Sequence, residues 1–148
     1  MSFAYAPPPK GNFVMNISRT SDAMKNKIEQ FPYRGKNLPV KDVWVQWLSQ
    51  AGPADSPEYG LRLFTVGPGG EIPIHKHFYY QTVYILSGSL IGYAYDPDTD
   101  EQTMEQPIAT GELAFIPSME PHRFTNPSQS EDCVFLCCIA NVYEDEGQ

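Results

Sequence analysis

The chain is poor in most of the features that would assign it quickly. Three histidines, three cysteines and two tryptophans are spread over 148 residues. Lys and Arg together number 10 against 18 Asp and Glu, a formal net charge of −8. That balance excludes a nucleic-acid surface, which needs a basic face for phosphates. The odd cysteine count, with all three near the C-terminus (Cys133, Cys137 and Cys138), excludes a disulfide framework and fits a reducing cytosol. No second Cys/His cluster of fitting spacing accompanies them, so a structural zinc site is excluded too. Cys137 and Cys138 lie in the apolar run "CVFLCCIANV" and read as small core hydrophobes. No apolar run approaches the ~20 residues of a membrane span. The start "MSFAYAPPPKG" lacks the charged and apolar regions of a secretion signal, so a cytoplasmic protein is expected.

What is present is a globular composition, 41% hydrophobic, of a length suited to one domain. The organisation changes near residue 40. Residues 1–39 read as an N-terminal arm, with the extended lead "APPPKG", followed by one short helix over "SDAMKNKIEQF". Ser21 would cap that helix. Met24, Ile28 and Phe31 would form its apolar stripe, packed on the outside of the domain, and Pro32 would end it. From Val40 the pattern is strand after strand: "VWVQWL", "YGLRLFTV", "IPIHKH", "QTVYIL", "SLIGYAYD", "QTMEQPI", "GELAFIP", "HRFTN" and "CVFLCCIANV". Gly, Pro, Asn and Asp punctuate them, as in "GPGG", "DPDTD" and "NPSQSED". No helical pattern interrupts the series, which excludes parallel βαβ architecture and leaves a β-sandwich, jelly roll or small barrel. The last residues, 144–148, form an acidic tail.

The chemistry concentrates in "GGEIPIHKHFYYQTVYILSG", residues 69–88. His75 and His77 stand at i and i+2, which on a strand share one face. Alone, such a pair is either two metal ligands or two histidines on a solvated face. The third histidine, His122, lies in a later strand, beyond "FIPSMEP".

These residues fall into two long motifs, and with them the sequence resembles the cupins. Gly69, five residues, His75, one residue, His77, three residues, Gln81, six residues and Gly88 match the first cupin motif, with Gln81 in place of its glutamate. Gly111, Pro117, His122 and Asn126 match the second, with Met119 in place of a glycine. The resemblance covers about Val40 to Val142. It implies an all-β cupin-type double-stranded β-helix, a jelly-roll barrel over residues 40–143. It also implies one divalent metal ion inside, held by His75, His77, position 81 and His122. Iron(II) is the leading candidate, with zinc, nickel or manganese as alternatives.

A glutamine at position 81 leaves the three imidazoles without a compensating carboxylate. The shell then keeps the full +2 of the ion, which sharpens its Lewis acidity and favours an anionic, chelating substrate. Gln81 either ligates weakly or hydrogen-bonds a metal-bound water. Met119, in a glycine's place, suggests a turn without positive φ and a side chain that crowds the metal. Further candidates are Tyr79 and Glu120 as catalytic groups, with Glu71 as another nearby carboxylate. Arg62, Phe64 and Phe124 are candidates for substrate contact, Arg62 for a carboxylate if its face points inward. The leading reading is a mononuclear dioxygenase acting on a small dicarbonyl, hydroxyketone or phenolic substrate. A non-redox isomerase, cyclase or decarboxylase and a non-catalytic small-molecule sensor are the alternatives. Resemblance to small cupins also implies a homodimer paired through sheet edges, across which the N-terminal arm could be exchanged.

Overall fold

A computed structural model describes residues 15–49 and 58–140 of the chain. The expected proline-rich arm, the "AGPADSP" turn and the acidic tail lie outside the described residues.

Eleven strands account for the regular structure, and the described residues contain no helix. β4 (Lys41–Ser49), β5 (Tyr59–His75), β6 (Gln81–Ser87), β7 (Ser89–Tyr95), β8 (Gln102–Ala109), β9 (Leu113–Ile116), β10 (His122–Thr125) and β11 (Cys133–Ala140) build one antiparallel sheet. Its order is β8-β7-β10-β5-β11-β6-β9, with β4 alongside β5. The sheet curls into a nearly closed barrel, the jelly roll that the strand pattern implied.

Alternation decides what enters the barrel. On β11, Cys133, Phe135, Cys137 and Ile139 are buried while the residues between them are half-exposed. On β6 the buried set is Gln81, Val83 and Ile85, and on β10 it is His122 and Phe124. The interior is therefore mostly aliphatic and aromatic, the buried polar side chains among the described residues being Thr65, Asn126, Gln81 and the three histidines.

"YGLRLFTV" and "IPIHKH" are one strand, not two. β5 runs 17 residues through "GPGG", pairing with β11 over its first half and with β10 over its second. The glycines permit a bend without breaking the ladder. A Cβ on Gly70 would lie 2.7 Å from the Val66 side chain and 2.9 Å from the Lys41 carbonyl. Asn126 clamps the bend. It is buried, and its Nδ2 donates to the carbonyls of Val66 (3.0 Å), Gly67 (3.1 Å) and Glu131 (2.8 Å).

The expected helix over residues 21–31 does not form. A short turn at residues 20–22 leads to β1 (Asn26–Lys27), which joins β4. β2 (Gln30–Tyr33) and β3 (Lys36–Pro39) then make a hairpin. The turn residues Arg34 and Gly35 have φ of 47° and 77°, the left-handed pair of a two-residue hairpin turn. This turn, together with Pro32 immediately after Phe31, overrides a weak helical stripe. Met24 is exposed, and Phe31 and Ile28 pack on the barrel core instead.

Candidate metal centre

Three elements deliver the histidines. His75 ends β5, His77 lies two residues beyond that end, and His122 opens β10 directly opposite His75 in the ladder. Their candidate ligand atoms all lie within 4.8 Å of one another, and all three residues are buried.

Each ring is fixed by the backbone. Nδ1 of His75 lies 2.8 Å from the Pro73 carbonyl, Nδ1 of His77 3.0 Å from that of Tyr79, and Nδ1 of His122 2.9 Å from that of Glu120. A carbonyl only accepts, so each Nδ1 must carry the proton. That leaves a lone pair on every Nε2, the tautomer that binds a metal. Burial keeps the rings neutral. His75 is pushed down to about 4 by desolvation, opposed by its bond to Pro73. Desolvation also lowers His77, against the Tyr79 carbonyl and the Gln81 amide. His122 lies well below the usual range, through desolvation first and then the neighbouring His75 and His77.

Gln81 points into the same place. Its Nε2 donates to Cys137 Sγ at 3.0 Å. The bond sets the flip of the amide and turns Oε1 the other way. Gln81 Oε1, His77 Nε2 and His122 Nε2 are buried with no hydrogen-bond partner among the described residues. Buried acceptors are normally satisfied. Several orphaned Lewis bases converging on one spot fit a divalent cation, which supplies what each lacks.

A cavity of about 30 Å³ adjoins these groups, lined by His75, His77, Gln81, Tyr79, Arg62 and the aromatic and aliphatic residues Phe31, Phe64, Ile72, Phe124 and Phe135. Arg62, whose direction the sequence left open, faces this cavity. Its Nη2 donates to Cys137 Sγ at 3.1 Å. Phe64 and Phe124 are wall residues, and Phe64 stacks on Phe135 with centroids 5.0 Å apart. Tyr79 stacks on His77 at 4.1 Å and nearly parallel, so its ring buttresses that imidazole. Glu120 is not in this cavity. It lines a second pocket of about 320 Å³ between the sheet's end strands β8 and β9, which His122 and Phe124 also line.

Two expectations are corrected. Met119 does adopt positive φ (67°), and its side chain is exposed rather than crowding the site. Its backbone N–H donates to the His77 carbonyl at 2.9 Å, so the strained turn positions that ligand. Glu71 sits on an outer groove in an ion pair with Arg123 (2.6 Å), away from the histidines.

Sequence reasoning missed two contributors. Phe31, assigned to an outer helix, stacks on His75 with centroids 4.8 Å apart and planes 14° apart. Cys137, read as plain core, accepts hydrogen bonds from both Gln81 and Arg62. Burial raises its thiol pKa, so it holds both groups as a neutral acceptor. The apolar run "CVFLCCIANV" marked Cys137 and Cys138 alike as core; alternation on β11 buries Cys137 and leaves Cys138 half-exposed, and nothing in the run pointed to polar partners.

A jelly-roll barrel with an inward histidine triad on β5, its following loop and β10 defines a class of small β-barrels with a histidine group that could hold a metal ion. The chain belongs to the cupin family: the family model described as a cupin domain matches residues 62–139, just over half of the chain. Among solved structures, it is similar to the polyketide cyclase RemF of Streptomyces resistomycificus, at 24% identity over 90% of this chain and 89% of that one, with a TM-score of 0.67. It is also similar to a cupin-2 domain protein of Rhodospirillum rubrum, at 23% identity over 91% of this chain and 80% of that one, TM-score 0.64. The oxalate decarboxylase of Lactobacillus farciminis matches at 16% identity and TM-score 0.62, with 91% of this chain covering 36% of that one. These likenesses show the fold. No curated protein matches the chain in sequence.

Proposed function

We propose that the protein is a mononuclear metal-dependent cupin enzyme acting on a small, anionic, oxygen-chelating substrate, with dioxygenation as its reaction. His75, His77 and His122 would hold the ion through Nε2, and Gln81 would add Oε1. The ion, iron(II) in this reading, would supply Lewis acidity and access to dioxygen.

The observation that carries the reading is the charge of the cavity. Its lining contains Arg62, neutral imidazoles and an amide, and no carboxylate. Such a site favours an electron-rich anionic substrate and holds its charge as it reacts. It also offers no general base apart from the histidines, whose Nδ1 atoms are engaged, and Tyr79. Oxygenation of a substrate that is already ionised, such as a phenolate or diketone enolate, needs none. Phe31, Phe64, Phe124 and Phe135 wall it with apolar surface, which lowers the local dielectric.

One observation favours a second reading. Glu120 and His122 both line the 320 Å³ pocket, so an acidic residue is available on that side of the site. A cyclase, isomerase or decarboxylase using zinc, nickel or manganese would use it to move a carbon-bound proton. RemF, a polyketide cyclase, has the same fold.

The two readings part in one experiment. Iron(II)-loaded protein is mixed with acetylacetone or catechol in an oxygen electrode. Oxygen consumption that disappears in His122→Ala supports dioxygenation. Absence of uptake with either substrate removes it, and proton exchange at the substrate's α-carbon in zinc-loaded protein, lost in Glu120→Gln, then supports the second reading. Ligand retention without turnover would identify a sensor. A homodimer belongs to the same proposal. The exposed side chains of Tyr84, Leu113 and Phe115 on paired strands β6 and β9 support it, and sedimentation of Phe115→Glu as a monomer is the expected result.

A further inference from the structure

The geometry points to Arg62 as an anion subsite beside the histidines, one that takes the carboxylate or equivalent oxyanion head of the substrate. For its role in the reaction this rests on the metal reading above, and it narrows the substrate class from any chelating anion to one bearing a compact oxyanion group.

The guanidinium is held in place on three sides. Nη2 donates to Cys137 Sγ at 3.1 Å. The central carbon lies 5.2 Å from the Trp47 ring centroid and 4.9 Å from that of Phe64. Arginine stays ionised in any protein environment, so burial cannot neutralise it. Its Nε–H is buried and has no acceptor among the described residues. The chain's other buttressed arginines are treated differently. Arg34 is paired with Asp100 at 2.9 Å and Arg123 with Glu71 at 2.6 Å. Arg62 alone of these three faces a cavity whose lining has no carboxylate.

A divalent ion at the histidines and Arg62 at the wall would place uncompensated positive charge in one small space. An oxyanion answers both, accepting from Nε–H and balancing the ion. Volume limits what it can be. About 30 Å³ has room for roughly two waters, hence for the oxygens of a carboxylate but not for a ring. The body of the substrate is left to the 320 Å³ pocket, which shares Phe124 with the small cavity and carries His122.

The test follows the Arg62 side-chain Nε–H resonance of the wild-type protein by ¹H–¹⁵N NMR, metal-free and zinc-loaded. Formate is the probe, and formamide the neutral control of the same size. The subsite predicts a saturable downfield shift with formate and none with formamide. By calorimetry on zinc-loaded protein, Arg62→Gln should bind formate at least tenfold more weakly, and Arg62→Lys should recover part of the loss. An Nε–H signal unmoved by formate overturns the inference, and this arm needs no variant to fold. Equal formate affinity in wild type and Arg62→Gln also overturns it, while leaving the metal reading intact. Protein that takes up no zinc yet still shows the formate shift would sink the metal reading and keep the anion subsite.

Discussion

Replacing Gln81 by leucine should separate the cost of this site from its use. In the metal-free chain Gln81 Oε1 is a buried acceptor without a partner. Such an atom destabilises by about 1–3 kcal/mol, its unrecovered desolvation. Leucine of similar size removes that penalty. It also removes the Nε2 bond to Cys137 Sγ, a neutral hydrogen bond that contributes ~0.5–1 kcal/mol. Cys137 is not stranded, because Arg62 still donates to it. The difference favours Gln81→Leu by about 1 kcal/mol, a rise in melting temperature of roughly 2–4 °C for a chain of this size. The assay is calorimetric melting in chelator, repeated with one equivalent of zinc. Zinc should then reverse the order, because wild type gains a ligand that the variant lacks, and binding only the folded state raises its stability. A metal-free variant clearly less stable than wild type would refute the argument that Oε1 is unsatisfied. Unchanged zinc affinity would refute its role as a ligand.

Other positions give independent checks. Gly88→Ala should lower stability by at least about 2 kcal/mol, because Gly88 has φ of 76° and an added Cβ would lie 2.5 Å from the Asp132 carbonyl oxygen; a melt within 2 °C of wild type would contradict it. Phe31→Ala removes a partly buried ring from His75, costs ~1–3 kcal/mol, and should admit water and speed metal loss to chelator, read by stopped-flow absorbance. Burial pushes Cys133 up to about 12 from its ordinary value of 9.0. The unfolded thiol therefore ionises first, and its contribution to stability, complete below pH 9, should fall as pH rises towards 12. Denaturant titrations of wild type and Cys133→Ala should show a smaller alkaline loss in the variant.

The sequence was legible where spacing alone carries geometry. Strand alternation put His75 and His77 on one face, and the resemblance carried by the two motifs tied them to position 81 and His122. It was opaque where a contact depends on distant residues. Gln81 and Cys137 are 56 positions apart, so nothing local sets the amide's orientation. The direction of Arg62 depends on strands distant in sequence: it stands opposite Trp47 on β4, where the ladder slips between Trp47 and Ser49, and opposite Cys137 on β11. The false helix came from weighing Met24, Ile28 and Phe31 as a stripe while passing over "YRGK", whose Arg-Gly pair takes the left-handed hairpin turn. Met119 shows the same limit. A non-glycine at positive φ is uncommon, but here its N–H bond to His77 helps fix the turn.

The central claim is that His75, His77 and His122 form one metal site. The most direct measurement is the metal content of protein purified without added metal, then loaded with iron(II) or zinc, desalted and analysed by element-resolved mass spectrometry beside His122→Ala. The account predicts close to one divalent ion per wild-type chain after loading and at least a tenfold loss of affinity in the variant. Wild-type protein that stays metal-free after loading, or a variant that retains a full equivalent, would contradict it.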